Sequence, residues 1–373
     1  MNHNIPLATP HMSAEGYELE YIHDAFRKNW IAPLGENVNE FEKTMAAFLD
    51  SGYPVATSAG TAALHLAMIL AGVKQGDMVF CQDLTFSASA NPVTYVGGKP
   101  VFIDSEEETW NMDPKALEKA FELYGKPKAV VVVHLYGNPA KMDEIAAICE
   151  KQGVPLIEDA AEALGSEYKG RKCGTFGDFG ILSFNGNKII TTSGGGMLFC
   201  RKKEDAAHAL KLATQARESF PWYQHEEIGF NYRMSNISAG IGRGQMEVLP
   251  LRIQQKRAIQ ERYARNLAGL PLKMQPSAPD TASNFWLSVI LLDEGCGVTP
   301  TQLLNALKAE NIEGRHLWKP MHEQPVFADA GFVTASENAV SSDLFTRGVC
   351  LPSDTKMTMD DVDRVCDVIR KVF

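Results

Sequence analysis

The chain is 373 residues long, with 36 lysines and arginines against 46 aspartates and glutamates and a formal net charge of −10. Apolar residues make up 45% and charged residues 22% of it, which excludes a disordered or collagen-like chain and leaves ample material for a buried core. The acidic balance argues against nonspecific nucleic-acid binding, and no apolar run approaches the ~20 residues of a membrane helix.

Taken in chain order, the opening MNHNIPLATPHMSAEG has neither the basic nor the apolar segment of a signal peptide. A cytoplasmic protein without nucleic-acid or membrane partners is expected. TAALHLAMILA (61–71) has helical periodicity, and MVFCQD (78–83) and PVFIDSE (100–106) read as strands. PKALEKAFELYG (114–125) is a helix, KAVVVVHL (128–135) a continuously apolar strand, and KMDEIAAICEKQG (141–153) a helix that closes on glycine. PLIEDA (155–160), FGILSF (179–184) and GGMLFC (195–200) follow as strands, the last two joined through a glycine-rich turn that suggests a hairpin at one sheet edge. Charged helical residues fill 202–267, the Pro/Ser/Asp-rich stretch 271–281 reads as a loop, and 359–373 is an amphipathic helix with Val362, Val365, Cys366 and Ile369 on one face. The alternation implies an α/β fold: a large, mostly parallel-sheet domain over 1–248 and a smaller α/β domain over 249–373.

Several chemistries lack their handles. The seven cysteines are scattered without zinc-ligand spacing and read as reduced core thiols, and no metal site is expected. There is no HExxH and no GxSxG. GSEYKGRK (165–172) has P-loop glycine spacing, but Arg171-Lys172 stands in place of the Lys-Ser/Thr pair, and GIGRGQ (240–245) does not follow a strand.

Three segments could carry chemistry. In SAGTAALHLA (58–67) small residues run into a helix, so the N–H groups of Gly60, Thr61 and Ala62 could meet an anion, although such residues more often serve only as caps. In LIEDAAEALGS (156–166) a strand ends in two carboxylates, where ligands gather in open α/β sheets; Asp159 could pair with a cationic ring nitrogen, or be a plain loop-edge residue. In SFNGNKIITTSGGGM (183–197) Lys188 follows an apolar strand and a tight turn. Partly desolvated it could act as a Schiff-base nucleophile, whereas most lysines are solvated surface charges.

Together, in that order, an anion cradle, a strand-end carboxylate and a poised lysine are the parts of a pyridoxal phosphate site. With NWIAPLG (29–35), GFNYRMSNISA (229–239), RHLWKPMHEQPVF (315–327) and GVCLPSDT (348–355), the chain resembles the DegT/DnrJ/EryC1/StrS sugar aminotransferases along essentially its whole length. The resemblance implies the aspartate aminotransferase-like fold type I and pyridoxal 5'-phosphate as cofactor. It implies that Lys188 bears the cofactor and shifts the proton, that Asp159 keeps the pyridine nitrogen protonated, and that Phe86 stacks on the ring. Gly60, Thr61, Ala62 and Ser183 match phosphate-binding positions, and Asn231 matches a residue that reaches the neighbouring subunit's phosphate, which implies a homodimer with shared active sites. Glu162 stands where many members have Gln near the cofactor 3'-hydroxyl, and Ser193 where many have Glu.

FNGNKIITTSGGG and LWKPMH are most similar to members that aminate UDP-linked 4-keto-6-deoxy-N-acetylhexosamines, as in bacillosamine synthesis. The implied reaction moves the amino group of L-glutamate to the sugar C4 ketone. Trp30, Arg315, Trp318, Lys319 and His322 are the candidates for substrate contact, with packing and surface charge as the alternative. GDP- or dTDP-linked sugars remain open, as does a non-catalytic cofactor- or sugar-binding regulator. Lys188 argues against the dehydrating branch, which has His there.

Overall fold

A computed structural model of the chain describes residues 3–373. The large sheet has eight strands: β1 (Tyr53–Thr57), β2 (Met78–Gln82), β3 (Lys99–Ile103), β4 (Ala129–Val133), β5 (Leu156–Asp159), β8 (Phe179–Ser183), β9 (Gly196–Cys200) and β14 (Gly331–Val333). Their spatial order is β1-β9-β8-β5-β4-β2-β3-β14. All neighbouring pairs are parallel except those that β9 makes with β1 and β8. Every residue of β4 is buried, as expected of a parallel strand covered on both faces.

Helices α3 (Gly60–Leu70), α4 (Asn91–Tyr95) and α7 (Lys203–Ala213) cover one face through Leu64, Met68, Val93 and Leu212. On the other face lie α5 (Pro114–Tyr124) and α6 (Met142–Gln152) with Leu117 and Ile145, and α2 (Glu36–Leu49) with Phe41 and Met45. α1 (Tyr17–Arg27) packs along α8 (Asn236–Asn266). The sequence explains the helix ends locally: Asp113 caps α5 by accepting the Lys115 N–H at 2.8 Å, and α6 stops at Gly153, whose φ is 61°.

The smaller part is an antiparallel sheet of β10 (Leu272–Met274), β12 (Ser288–Leu292), β15 (Gly348–Leu351) and β13 (Arg315–His316). It packs with α9 (Pro300–Ala309) and α11 (Met359–Arg370), on which Val362, Val365, Cys366 and Ile369 are all buried. α10 (Val340–Arg347) leads into β15, and a small sheet of β11 (Thr281–Ala282), β6 (Glu167–Tyr168) and β7 (Arg171–Lys172) links the two parts.

Three features differ from the sequence reading. The hairpin of β8 and β9 does form, but β1 pairs outside β9, so the hairpin is internal, and residues 184–195 between its strands form a long connection rather than a tight turn. The expected boundary after residue 248 falls inside α8, a continuous helix that carries Pro250. Chain order and spatial part also cross over: Ile5 bridges Ile312 within the smaller core, while β14 extends the large sheet beside β3. Among the described residues no helix is long and apolar enough to cross a membrane, no group of His, Cys, Asp and Glu could hold a metal, and all seven cysteines are free.

Candidate active site

The carboxyl ends of β4, β5 and β8, the start of α3 and the β8–β9 connection open onto one cavity of about 290 Å³, closed from the smaller part by Trp286 and Trp318. This is the end of the sheet where the strand geometry of open α/β folds places ligands.

The start of α3 supplies backbone donors. Ala63 N–H is the first to bond back, to the Ala59 carbonyl at 3.1 Å, and no side chain caps the helix. The N–H groups of Gly60, Thr61 and Ala62 therefore have no intrahelical acceptor and sit at the positive end of the helix dipole. Gly60, Thr61 and Ser183 line the cavity; the Ala62 side chain is buried outside it, so only its N–H is relevant. Gly196 lets β9 pass directly under this cradle, since a Cβ there would lie 2.3 Å from the Gly60 nitrogen.

Asp159 closes β5 and is buried. Its Oδ2 accepts from Ser89 Oγ at 2.6 Å and its Oδ1 from the Ala161 N–H at 3.1 Å, while Thr85 Oγ1 lies 2.8 Å from Ser89 Oγ. Both oxygens are thus held by donors that suit an anion facing into the cavity.

Lys188 comes from the β8–β9 connection. Its Nζ lies 4.1 Å from the centre of the Trp286 ring and 3.7 Å from Glu162 Oε1. Trp286 is fixed by donating Nε1–H to the Asn187 carbonyl at 2.7 Å, so the residue before the lysine and the ring over it are tied together. Glu162 accepts the Tyr136 N–H at 2.7 Å through Oε2, and burial pushes its carboxyl above the ordinary range against the pull of Lys188. Tyr136 stacks between Trp286 and Trp318, its hydroxyl accepts the Trp318 N–H at 2.9 Å, and Trp318 in turn meets Phe86 at 5.3 Å. Phe86 stands at the mouth, half exposed.

The structure brings together Lys188, Asp159, Glu162, Gly60, Thr61, Ser183, Phe86 and Trp318. Arg315 borders an adjoining pocket of about 60 Å³ that shares Asn187, Trp286 and Trp318 with the main cavity. The remaining expected residues do not line it. Trp30 lies in a separate surface depression beside Glu36 and Asn236, with its Nε1–H donated to the Leu34 carbonyl at 2.8 Å. His322 is held by Asp83, through Nδ1 at 2.7 Å, and stacks on Phe332, so it fixes the loop rather than facing the cavity. Lys319 points to solvent, Asn231 is exposed where it bridges Thr214, and Ser193 is exposed with φ 72°. Sequence reasoning missed Ser89, Thr85, Tyr136 and Trp286.

The donor set fits pyridoxal phosphate: a primary amine, an anion cradle and a fixed carboxylate face one cavity at the sheet's carboxyl end. Comparison with known proteins bears on the same reading. Residues 13–370 match the model of the DegT/DnrJ/EryC1/StrS aminotransferase family. The chain belongs to that family. EpsN of Bacillus subtilis (strain 168), to which pyridoxal phosphate-dependent aminotransferase activity is provisionally ascribed, is 51% identical across all of this chain and 97% of its own. The GDP-perosamine synthase of Escherichia coli O157:H7 is 35% identical over 99% of this chain and 98% of its own. The crystal structure of the aminotransferase TlmJ from Streptoalloteichus hindustanus superposes with a TM-score of 0.89 at 28% identity, covering 99% of this chain and 98% of that one. The protein is a pyridoxal phosphate-dependent sugar aminotransferase of fold type I that acts on a nucleotide-linked keto sugar.

Proposed function

We propose that the enzyme moves the amino group of L-glutamate to the C4 ketone of a UDP-linked 2-acetamido-2,6-dideoxy-4-keto-hexose, giving the 4-amino sugar and 2-oxoglutarate. The observation that carries the aminotransferase chemistry is the convergence of Lys188, Asp159 and the open start of α3 on one cavity. Bound pyridoxal phosphate supplies an electron sink for the carbanion formed at the amino donor's Cα.

The chain's own residues do the rest. The Gly60, Thr61 and Ala62 N–H groups and Ser183 hold the phosphate. Asp159, oriented by Ser89 and Ala161, would hold a proton on the cofactor's ring nitrogen, and Phe86, at the mouth of the same cavity, would stack on the ring. Lys188 Nζ binds the cofactor and carries the proton to and from the donor Cα, while Trp286 keeps water from its open side. Trp318, which lines the cavity, and Arg315, which borders the adjoining pocket, meet the sugar and its diphosphate. Asn231, exposed and away from its own cavity, reaches the partner's phosphate in a homodimer.

The choice of UDP rests on the FNGNKIITTSGGG and LWKPMH segments. A second reading, a GDP-linked sugar, is favoured by the 35% identity to a GDP-perosamine synthase. The test is a pair of half-reactions: enzyme first bleached with glutamate is mixed with the UDP- or the GDP-linked 4-keto sugar, and recovery of the cofactor's visible absorption is followed. Faster recovery with the UDP sugar, with a 4-amino product, supports the proposal. Recovery only with the GDP sugar replaces the substrate and keeps the reaction.

A further inference from the structure

Two carboxylates line the cavity, and the fold treats them differently. Asp159 has donors on both oxygens, at 2.6 and 3.1 Å. Glu162 has a donor on one only: Oε2 accepts the Tyr136 N–H at 2.7 Å, whereas Oε1 makes no hydrogen bond among the described residues and faces Lys188 Nζ at 3.7 Å. Tyr136, which offers that N–H, has φ 58°, a left-handed conformation unusual for a bulky side chain, and its ring is locked between Trp286 and Trp318. The carboxylate is therefore held from behind with its free oxygen aimed at the amine. Movement of about 1 Å along that line brings the two into hydrogen-bond range.

The surroundings make Glu162 the group able to exchange a proton. It is buried, and the Asp159 carboxylate stands close enough to oppose a second negative charge, while Lys188 supplies the facing cation; the Tyr136 phenol and Cys350 thiol nearby are both pushed up by burial and add no charge of their own. One carboxylate with donors on both oxygens beside another with one oxygen left free is a division of labour set by environment alone.

We propose that Glu162 sets the charge state of Lys188: its Oε1 holds the lysine as an ammonium while the cofactor is absent, takes up the proton the lysine gives up when it binds the cofactor, and returns it when the lysine is released. In this transfer one N–H bond breaks, one O–H bond forms, and no other bond changes. The proposal rests on Lys188 being the cofactor-bearing lysine.

The test uses the full-length protein stripped of cofactor. Its lysines are methylated with formaldehyde and cyanoborohydride across a pH series, and modification of the Lys188 peptide is quantified by mass spectrometry. In Glu162→Gln, which keeps the shape and an acceptor for the Tyr136 N–H, the midpoint of the Lys188 profile should fall by at least one pH unit. That is a tenfold change in free amine at a given pH, expected when a charge 3.7 Å away is removed from a partly buried site. Glu162→Asp, which keeps the charge but draws it back, should give an intermediate midpoint, and provides the answer if the Gln variant does not fold. Midpoints equal to wild type in the folded variants overturn the proposal. Failure of added pyridoxal phosphate to attach to wild-type Lys188 is a separate result: it overturns the functional reading and leaves the methylation profiles standing.

Discussion

The cradle at the start of α3 depends on a contact that only glycine allows. A methyl group at Gly196 would stand 2.3 Å from the Gly60 nitrogen and 2.4 Å from the Ala59 carbonyl carbon. Ordinary contact needs ~3.5 Å, so backbone must move against backbone by about 1 Å. β9 cannot yield, because Gly196 is paired with Thr57 on one side and Ser183 on the other. The start of α3 must move instead, and with it the N–H groups assigned to the phosphate. Overpacking of this kind costs about 1–3 kcal/mol of stability, and losing a comparable amount from phosphate binding weakens affinity about tenfold or more. Gly194 provides the control: it lines the same cavity, yet a Cβ there meets nothing within 4 Å. Titrating cofactor-free protein with pyridoxal phosphate, and unfolding it with guanidinium, should show both losses in Gly196→Ala and neither in Gly194→Ala. Wild-type affinity within twofold in Gly196→Ala, or an equal loss in Gly194→Ala, would refute the assignment of the cradle.

Three further outcomes follow from the same geometry. Asp159→Asn keeps the shape but removes the charge facing the cavity, and should slow the glutamate half-reaction about 10²–10³-fold in stopped-flow absorbance; a loss under tenfold contradicts its role. Trp318 Nε1 is buried without a partner beside the cavity and the Arg315 pocket, so Trp318→Phe should raise KM for the keto sugar about five- to tenfold while sparing the glutamate half-reaction. Lys256 is buried in α8, donating to the Trp286 carbonyl at 2.9 Å and the Ser353 carbonyl at 2.5 Å, and burial lowers its pKa from 10.5 to about 7. Between those values the unfolded chain holds a proton that the folded chain has released, so this residue makes stability rise with pH across that window. Lys256→Met should be less stable and should flatten that rise in thermal melts; an unchanged slope contradicts the assignment.

The parallel part of the large sheet was legible because β2 to β5 are short apolar runs punctuated by amphipathic helices, a pattern that leaves few alternatives. The outer strands were not. β1 carries Pro54 and ends in Thr57, and β14 is three residues, Gly331–Val333, recruited from the far end of the chain; neither has a local period to read. The boundary expected after residue 248 falls inside α8, a 31-residue helix that accommodates Pro250, so no local break in the chain marks it. At the site, the residues supplied by the β5 end, the α3 start and the Lys188 connection could be named because each sits beside a recognisable element boundary. Ser89 and Trp286 could not, because their roles come from partners far along the chain: 70 residues for Ser89 with Asp159, and 99 for Trp286 with the Asn187 carbonyl. His322 shows the reverse case. Its chemistry suited a substrate contact, but the fold had already placed Asp83 against it.

Everything proposed for this cavity depends on Lys188 being the residue that carries the cofactor. Loading the protein with pyridoxal phosphate, reducing with borohydride and mapping the peptides by mass tests it directly. One phosphopyridoxyl group per chain is expected on the peptide that contains Lys188, and none in Lys188→Ala. A stoichiometric label on another lysine, or an undiminished label in Lys188→Ala, would contradict it.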